Sequence, residues 1–202
     1  MEIDLYKINQ DMTIELLEKE RENPEFREAI RLRHMEAIVY FSEWIRGNVF
    51  EIGCRHGILL ELLEICKKDV FPEIKNTFGI DMSPTAIKIL KSRGLNGEVQ
   101  TAESLLESKS LYKMFDTIFC LHTLEHCIDV PKVIAGIWEC LKPNGHTLIE
   151  IPLQPKEPIP TKWGHYHCFE SEQELINMME GFKHIKTFRE DKHTWRRFVF
   201  EK

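Results

Sequence analysis

Between residues 48 and 151 the hydrophobic period of the sequence keeps switching. Short apolar runs alternate with stretches in which apolar side chains recur every three or four residues. A short apolar run bounded by turn formers suits a buried strand, and the longer period suits an amphipathic helix. Residues 48–52, 77–80, 99–101, 115–120 and 146–151 read as strands, the third of them weak. A helix opens at Gly57 and turns Ile58, Leu59, Leu62, Leu63 and Cys66 inward. A second opens at Ser83 as cap with Pro84 in its first turn and buries Ala86, Ile87 and Leu90. A third opens at Pro131, buries Val133, Ile134, Ile137, Trp138 and Leu141, and stops at residues 142–145. Strands alternating with helices imply parallel βαβ units, with helices on both faces of an open sheet. Ligands of such sheets bind beyond the carboxyl ends of the strands. The residues after the first, second, fourth and fifth strands are therefore the candidates for function.

Both flanks break the pattern. Residues 1–46 are polar and helix-rich. Within them, residues 25–46 place Phe26, Ile30, Ala37, Tyr40, Phe41 and Trp44 on one helical face, after an Asn23 cap and Pro24. Residues 152–168 form a long loop carrying Pro152, Pro155, Pro158 and Pro160. Ser171 and Glu174 have the spacing of a capping box for a helix ending at Gly181. Two strand-like runs, 185–189 and 195–200, follow with no helix between them, as in an antiparallel hairpin.

At 202 residues the chain is sized for one domain with a short appendage. Lys and Arg total 27 against 33 Asp and Glu, a net charge of −6, which disfavours nucleic acid or an anionic membrane as partner. No apolar run approaches the ~18 residues of a membrane span. The first residues are charged from Glu2 onward, unlike a secretory signal, so a cytoplasmic location is expected. The cysteines at 54, 66, 120, 127, 140 and 168 form no CxxC and sit in apolar segments. They are expected to be reduced and buried, with no disulfide framework and no metal site.

The segment from Glu51 to Gly57 joins a strand to a helix with glycines at 53 and 57. Gly53 suits a sharp turn, and Gly57 suits close packing of the helix on the sheet. The helix N-terminus offers N–H groups to an anion, and Glu51 at the strand tip offers a carboxylate to an ammonium. Asp81 ends the second strand, where an acid accepts hydrogen bonds from ribose hydroxyls in nucleotide-binding folds. The dinucleotide fingerprint GxGxxG is absent, which argues against an NAD-dependent dehydrogenase. A ligand with a nucleoside at one end and an amino acid at the other fits better, and S-adenosylmethionine is such a ligand.

The chain resembles the class I S-adenosylmethionine-dependent methyltransferases, in the small-molecule branch that includes ubiquinone-pathway O-methyltransferases. The resemblance covers about residues 46–201. It rests on Val49-Phe-Glu-Ile-Gly-Cys-Arg-His-Gly57, Gly79-Ile-Asp-Met-Ser-Pro84 and Phe115-Asp-Thr-Ile-Phe-Cys-Leu-His-Thr-Leu-Glu-His126. Leu141-Lys-Pro-Asn-Gly145 and Gly164-His-Tyr-His-Cys-Phe169 add to it. It implies an α/β fold: a Rossmann-like three-layer sandwich with a seven-stranded, mostly parallel sheet and an antiparallel C-terminal strand. The implied division is a helical lid or extension over residues 1–46 and a cofactor-binding domain over 47–202.

The resemblance also implies roles. Glu51, Gly53 and Cys54 would line the methionine end of the cofactor, and Gly57 would belong to the same cofactor-binding loop. Asp81 would hold the ribose, Met82 would pack on the adenine, and Ala102 and Glu103 would border its edge. Cys120 and Leu121 would touch the cofactor from the fourth strand. Relatives have glycine where this chain has Arg55, a side chain that would point outward, pair with the cofactor carboxylate or narrow the site.

The implied reaction moves a methyl group to a small polar acceptor, at a hydroxyl, and leaves S-adenosylhomocysteine. His165 and His167, on alternate residues of an extended segment, are the first candidates for a general base, and His122 and His126 the next. Trp163 and Tyr166 would form an aromatic wall, and Arg31 and Arg33 would face an anionic substrate. The inverted zinc-protease spacing of His122, Glu125 and His126 directly follows a strand, not the long helix that chemistry needs. The alternative reading is a non-catalytic cofactor-binding relative with a regulatory or scaffolding role.

Overall fold

The computed structural model describes residues 5–190 and 193–202, with side chains from residue 10 onward except at the two omitted positions. Two helices come first, α1 (Leu5–Glu22) and α2 (Pro24–Phe41). Asn23 caps α2 by accepting from Phe26 N at 3.0 Å, and Pro24 occupies the first turn. The helix expected to reach residue 46 stops at Phe41, and a short 3-10 turn over Ser42–Trp44 leads into the sheet.

Strand and helix then alternate: β1 (Gly47–Ile52), α3 (Ile58–Cys66), β2 (Ile74–Asp81), α4 (Pro84–Ser92), β3 (Gly97–Val99), β4 (Phe115–Leu121), α5 (Val130–Cys140) and β5 (Leu141–Pro152). The chain closes with α6 (Glu172–Met178), β6 (Lys183–Phe188) and β7 (Trp195–Glu201). The seven strands lie in the order β3-β2-β1-β4-β5-β7-β6. β1 to β5 are parallel, and β7 is antiparallel to both of its neighbours. This is the expected α/β sandwich. The C-terminal strand is antiparallel as expected, and it lies between β5 and β6.

Several boundaries move. β3 begins two residues early because Gly97 packs on β2, where a Cβ would lie 2.7 Å from Gly79 O. β5 begins at Leu141, the last inward residue of the expected helix, and runs through the expected turn. Its 142–145 segment bulges, so that Phe115 faces Leu141 and Thr117 faces His146, with Asn144 left-handed at φ +61°. α6 ends at Met178, short of Gly181. Its Ser171 cap accepts from Glu174 N at 3.3 Å, while the Glu174 carboxylate reaches back to Glu170 N at 2.8 Å, one residue beyond a capping box.

The two-residue period of the strands sorts the core. Phe50, Ile52, Ile118, Cys120, Ile149, Ile151, Phe198 and Phe200 pack with α5 and α6. Val49, Phe119, Leu148 and Val199 pack with α2 and α3. Glu51, Leu121, Glu150 and Arg197 belong by alternation to this second face, at the strand ends beneath α1 and α2. The six cysteines are free, and all but Cys66 are buried. No helix among the described residues is long and apolar enough to cross a membrane.

Candidate functional site

A cavity of about 930 Å³ opens where strand order reverses, above the carboxyl ends of β1 and β4. The exits of β1, β2, β4 and β5 line it, together with α1, α2 and the loop before α6.

At the exit of β1, Glu51 is 3% exposed and its Oε2 has no hydrogen-bond partner. Burial, reinforced by the charge of Asp81 and opposed by Arg55, pushes its carboxyl well above the usual range. Gly53 turns the chain at φ +75°. A Cβ there would lie 2.3 Å from Thr123 Oγ1, so the exits of β1 and β4 are in direct contact. Cys54 is buried, and burial pushes its thiol up. Gly57, left-handed at φ +82°, does not line the cavity. A Cβ on it would meet Leu95 and Leu90, so its close approach is to α4 and the segment after it, not to the sheet.

Arg55 takes the left-handed φ of +47° that a side chain rarely adopts. Its N–H donates to Asp81 Oδ2 at 2.9 Å, and its guanidinium lies 2.6 Å from Glu20 Oε1 on α1. His56 Nε2 is 3.0 Å from the other Glu20 oxygen. Burial works against the Glu20 charge, but His56 and Arg55 together hold the carboxyl below its ordinary range. Of the three orientations open to Arg55, the structure shows it drawn onto α1 at the cavity wall.

At the exit of β2, Asp81 accepts from Arg55 N and, at 2.8 Å, from Ser83 N. Its carboxyl is raised by burial, against those two N–H groups. Ser83 caps α4 through Ala86 N at 3.3 Å. Met82 lines the cavity, and its carbonyl accepts from Gln10 of α1 at 3.2 Å. Ala102 and Glu103 line the same wall, and Glu103 Oε1 accepts from Ile128 N at 2.9 Å.

At the exit of β4, only one of the two expected residues reaches the cavity. Leu121 lines it, whereas Cys120 is wholly buried in the core on the other face. Adjacent residues of a strand point to opposite faces, so both could not serve. His122, left-handed at φ +47°, sits between two buried carboxylates. Its Nδ1 is 3.1 Å from Glu125 Oε1 and its Nε2 is 2.7 Å from Glu150 Oε1. Glu150 also meets Arg197 Nε at 2.6 Å and Arg33 Nε at 3.3 Å. Arg197, 1% exposed, extends its other nitrogens to Glu36 and Glu190.

Glu125 is buried, with its Oε2 unpartnered and its carboxyl raised by burial. Its backbone carbonyl accepts from Tyr166 N and His167 N at 2.7 and 3.1 Å, which seats the loop before α6 on the site. His126 Nδ1 is 3.0 Å from Gly164 O, and His165 Nδ1 is 3.0 Å from Gln154 Oε1. The two rings meet edge to face at 4.9 Å. Burial lowers the His165 pKa, so the ring is neutral at neutral pH. Glu125, His126 and His165 each bring a donor atom within 4.8 Å of the others, a spacing that a divalent cation also accepts.

His165 lines the cavity and His167 does not. The His167 Nε2 lies 3.0 Å from Glu174 Oε1 of α6, and its ring packs at 4.4 Å on Phe169. The bend at Gly164 and the anchoring on the Glu125 carbonyl keep the segment from running as an extended strand, so the expected shared side is not formed. Trp163 stands 59% exposed at the cavity, whereas Tyr166 is buried away from it. Arg33 lines the cavity but is already paired with Glu150, and Arg31 is exposed.

Sequence reasoning passed over Glu150, Gln154 and Trp195, all of which line the cavity. Glu150 carried a signal: it is a charged residue inside the apolar run 146–151, and such residues are rarely buried without partners. Gln154 and Trp195 carried none, because only the folded loop after β5 and the pairing of β7 with β5 bring them to the site.

A profile described as "Methyltransferase domain" matches residues 10–191. The chain is 28% identical over 107 residues to the mitochondrial ubiquinone biosynthesis O-methyltransferase of Schizosaccharomyces pombe, covering 50% of this chain and 36% of that protein. It is 32% identical over 104 residues to the ubiquinone biosynthesis O-methyltransferase of Pseudomonas putida, covering 48% and 41%. The matched segments thus span about two fifths of the length of those relatives. Among solved structures, it superposes on a SAM-dependent methyltransferase from Archaeoglobus fulgidus with a TM-score of 0.66 at 18% identity, covering 87% of this chain and 94% of that one. It also superposes on the N-methyltransferase NodS from Bradyrhizobium japonicum in complex with S-adenosyl-L-homocysteine, with a TM-score of 0.63 at 21% identity, covering 89% and 88%.

Proposed function

The chain belongs to the methyltransferase-domain family, and on that premise we propose that it moves a methyl group from S-adenosylmethionine to a hydroxyl of a small polar molecule. The observation that carries this reading is the placement of Glu51, Asp81 and His165 on the wall of one cavity. Bound there, S-adenosylmethionine supplies an electrophilic methyl group on a sulfonium.

The residues present fit that ligand. The buried, unpartnered Oε2 of Glu51 is the acceptor an ammonium requires. Asp81 uses one acceptor site on each oxygen for backbone N–H groups, and a carboxylate offers about four in all, so lone pairs remain for two ribose hydroxyls. Met82, Ala102 and Glu103 form the adenine side, and Gly53 and Cys54 the side of the amino-acid chain. Arg55 acts through Glu20 as a strut for α1, and α1 and α2 serve as the lid over residues 47–202.

On the acceptor side, His165 is the general base and takes the hydroxyl proton as the new carbon–oxygen bond forms. His122 and His126 hold the β4 exit in shape through Glu125, Glu150 and the Gly164 carbonyl. The lid and the buried exit loops exclude water, and positioning supplies most of the rate.

Calorimetry with S-adenosylhomocysteine tests the reading. Saturable binding that Asp81→Asn weakens, alongside no thermal protection by NAD, supports it; absence of binding to the wild-type chain sinks it. Binding without turnover across a panel of hydroxylated acceptors favours a cofactor-binding protein without catalysis.

A further inference from the structure

The acceptor end of the cavity contains a short chain of groups that no substrate contact requires. Gln154, two residues past β5, has its backbone N–H fixed to Phe169 O at 2.9 Å. Its amide nitrogen donates to Cys168 Sγ at 3.1 Å, and its amide oxygen faces His165 Nδ1 at 3.0 Å. The thiol and the imidazole therefore hold the two ends of one side-chain amide.

A neutral imidazole carries its proton on one nitrogen only, and the group facing that nitrogen selects the tautomer. An amide oxygen accepts and cannot donate. Opposite Nδ1 it holds the proton there and leaves the lone pair on Nε2. Glu125, His126 and Glu157 also act on this ring through their charge, while the group facing Nδ1 at 3.0 Å is the Gln154 amide oxygen.

We propose that Gln154 is a positioning residue that fixes His165 in the tautomer protonated at Nδ1, so that Nε2 is the base, with Cys168 orienting the amide. The proposal rests on the assignment of His165 as base. In the step it serves, the substrate O–H proton passes to His165 Nε2. The oxygen–methyl bond forms, and the sulfur–methyl bond breaks with its electron pair remaining on sulfur. The amide oxygen stays hydrogen-bonded to Nδ1–H while the ring is positively charged, as an orienting acceptor must. If the amide turned over, its NH₂ would face Nδ1, the proton would move to Nε2, and the base would be lost.

The test is a long-range ¹H–¹⁵N correlation spectrum of ¹⁵N-histidine-labelled protein at a fixed alkaline pH, with and without S-adenosylhomocysteine. His165→Gln provides the assignment. The expected wild-type result is a proton on Nδ1 and a lone pair on Nε2. Gln154→Glu, which keeps an acceptor in place, retains that pattern, and Gln154→Leu moves the proton to Nε2. A wild-type ring protonated at Nε2 overturns the proposal, as does a Gln154→Leu protein with the wild-type pattern and a wild-type melting temperature. Should Gln154→Leu not fold, the wild-type and Gln154→Glu spectra still decide. Because the tautomer is read without turnover, failure of S-adenosylhomocysteine to bind counts against the proposed function and leaves this result to stand separately.

Discussion

The Arg55 guanidinium lies 2.6 Å from the carboxylate of Glu20, which ties the loop after β1 to α1 across 35 residues of sequence. Arg55, where the resemblance implies glycine, is thus part of a clamp and leaves Glu51 Oε2 unpartnered. Arg55 adopts this position at a left-handed φ, a conformation that costs a non-glycine residue about 1–2 kcal/mol. Arg55→Gly relieves that strain while losing the ion pair, so its net effect on urea unfolding is expected to be small, within about 1 kcal/mol. Glu20→Ala removes the acceptor shared by Arg55 and His56 and is expected to cost more, about 1–3 kcal/mol. The reverse order of the two variants would mean that the clamp contributes nothing.

Asp81 has two duties that its place in the sequence does not separate. Its carboxylate is the acceptor for two backbone N–H groups at the meeting of two loops. Asp81→Ala is therefore expected to lower stability by about 2 kcal/mol as well as to weaken S-adenosylhomocysteine binding. Asp81→Asn, which keeps one acceptor, should lose much of the binding and less of the stability. Denaturant titration alongside calorimetry on both variants checks this. Full stability of the alanine variant would show that the bridge is unimportant.

Glu51 is expected to set a pH limit on binding. Its raised pKa means that the empty site holds a neutral carboxyl at pH values above 4.5, and a cationic ammonium selects the ionised form. Affinity for S-adenosylhomocysteine should therefore fall as pH is lowered through that raised pKa. Near it, binding should release protons, visible as a dependence of calorimetric heat on buffer ionisation enthalpy. Glu51→Gln should weaken S-adenosylhomocysteine about 10- to 100-fold and leave methylthioadenosine, which has no amino-acid end, unchanged. Equal loss for both ligands would place Glu51 elsewhere in the site.

Arg197 is buried among Glu150, Glu36 and Glu190 and joins β7 to β5 and α2. Removing the arginine leaves the charge of Glu150, 1% exposed, poorly compensated in the interior. Arg197→Leu should cost about 3–5 kcal/mol in unfolding free energy, with little recovery in high salt. Lysine cannot reach three carboxylates as a planar fork does, so Arg197→Lys should fall between. A loss under 1 kcal/mol for the leucine variant would contradict the cluster's role.

The two loop histidines should separate. His165→Gln is expected to lower methyl transfer at least ~100-fold with S-adenosylhomocysteine affinity retained. His167→Gln should leave transfer intact, because His167 faces Glu174 of α6. Equal losses would return both histidines to the reaction.

Much of this fold was written in local pattern. The strand and helix periods from residue 48 to 151, the caps at Asn23 and Ser83, and the apolar pair of runs at the end all formed close to where they were read. Boundaries slipped where a distant neighbour decided them, as Gly79 did for β3 and the bulged pairing with Phe115 did for β5. The cavity wall was legible at the exits of β1, β2 and β4, where Glu51, Gly53, Asp81 and Leu121 all reach it. Cys120 failed because the two-residue period that identifies the strand also turns its side chain to the other face. His167 failed because a glycine bend and two hydrogen bonds donated to the Glu125 carbonyl replaced the extended geometry assumed for it.

What the sequence determined by itself is the order of elements and the strand ends at which ligand-facing residues stand, because dihedral preference, side-chain period and capping act over a few residues. What only the tertiary structure decided is how those residues are paired. Arg55 meets Glu20, His165 meets Gln154, and Glu150 meets Arg197 and, through it, Glu36 at a separation of 161 residues from that arginine. Charges and hydrogen-bonding groups act at a few ångströms, and chain distance says nothing about which of them the packed sheet and helices bring together.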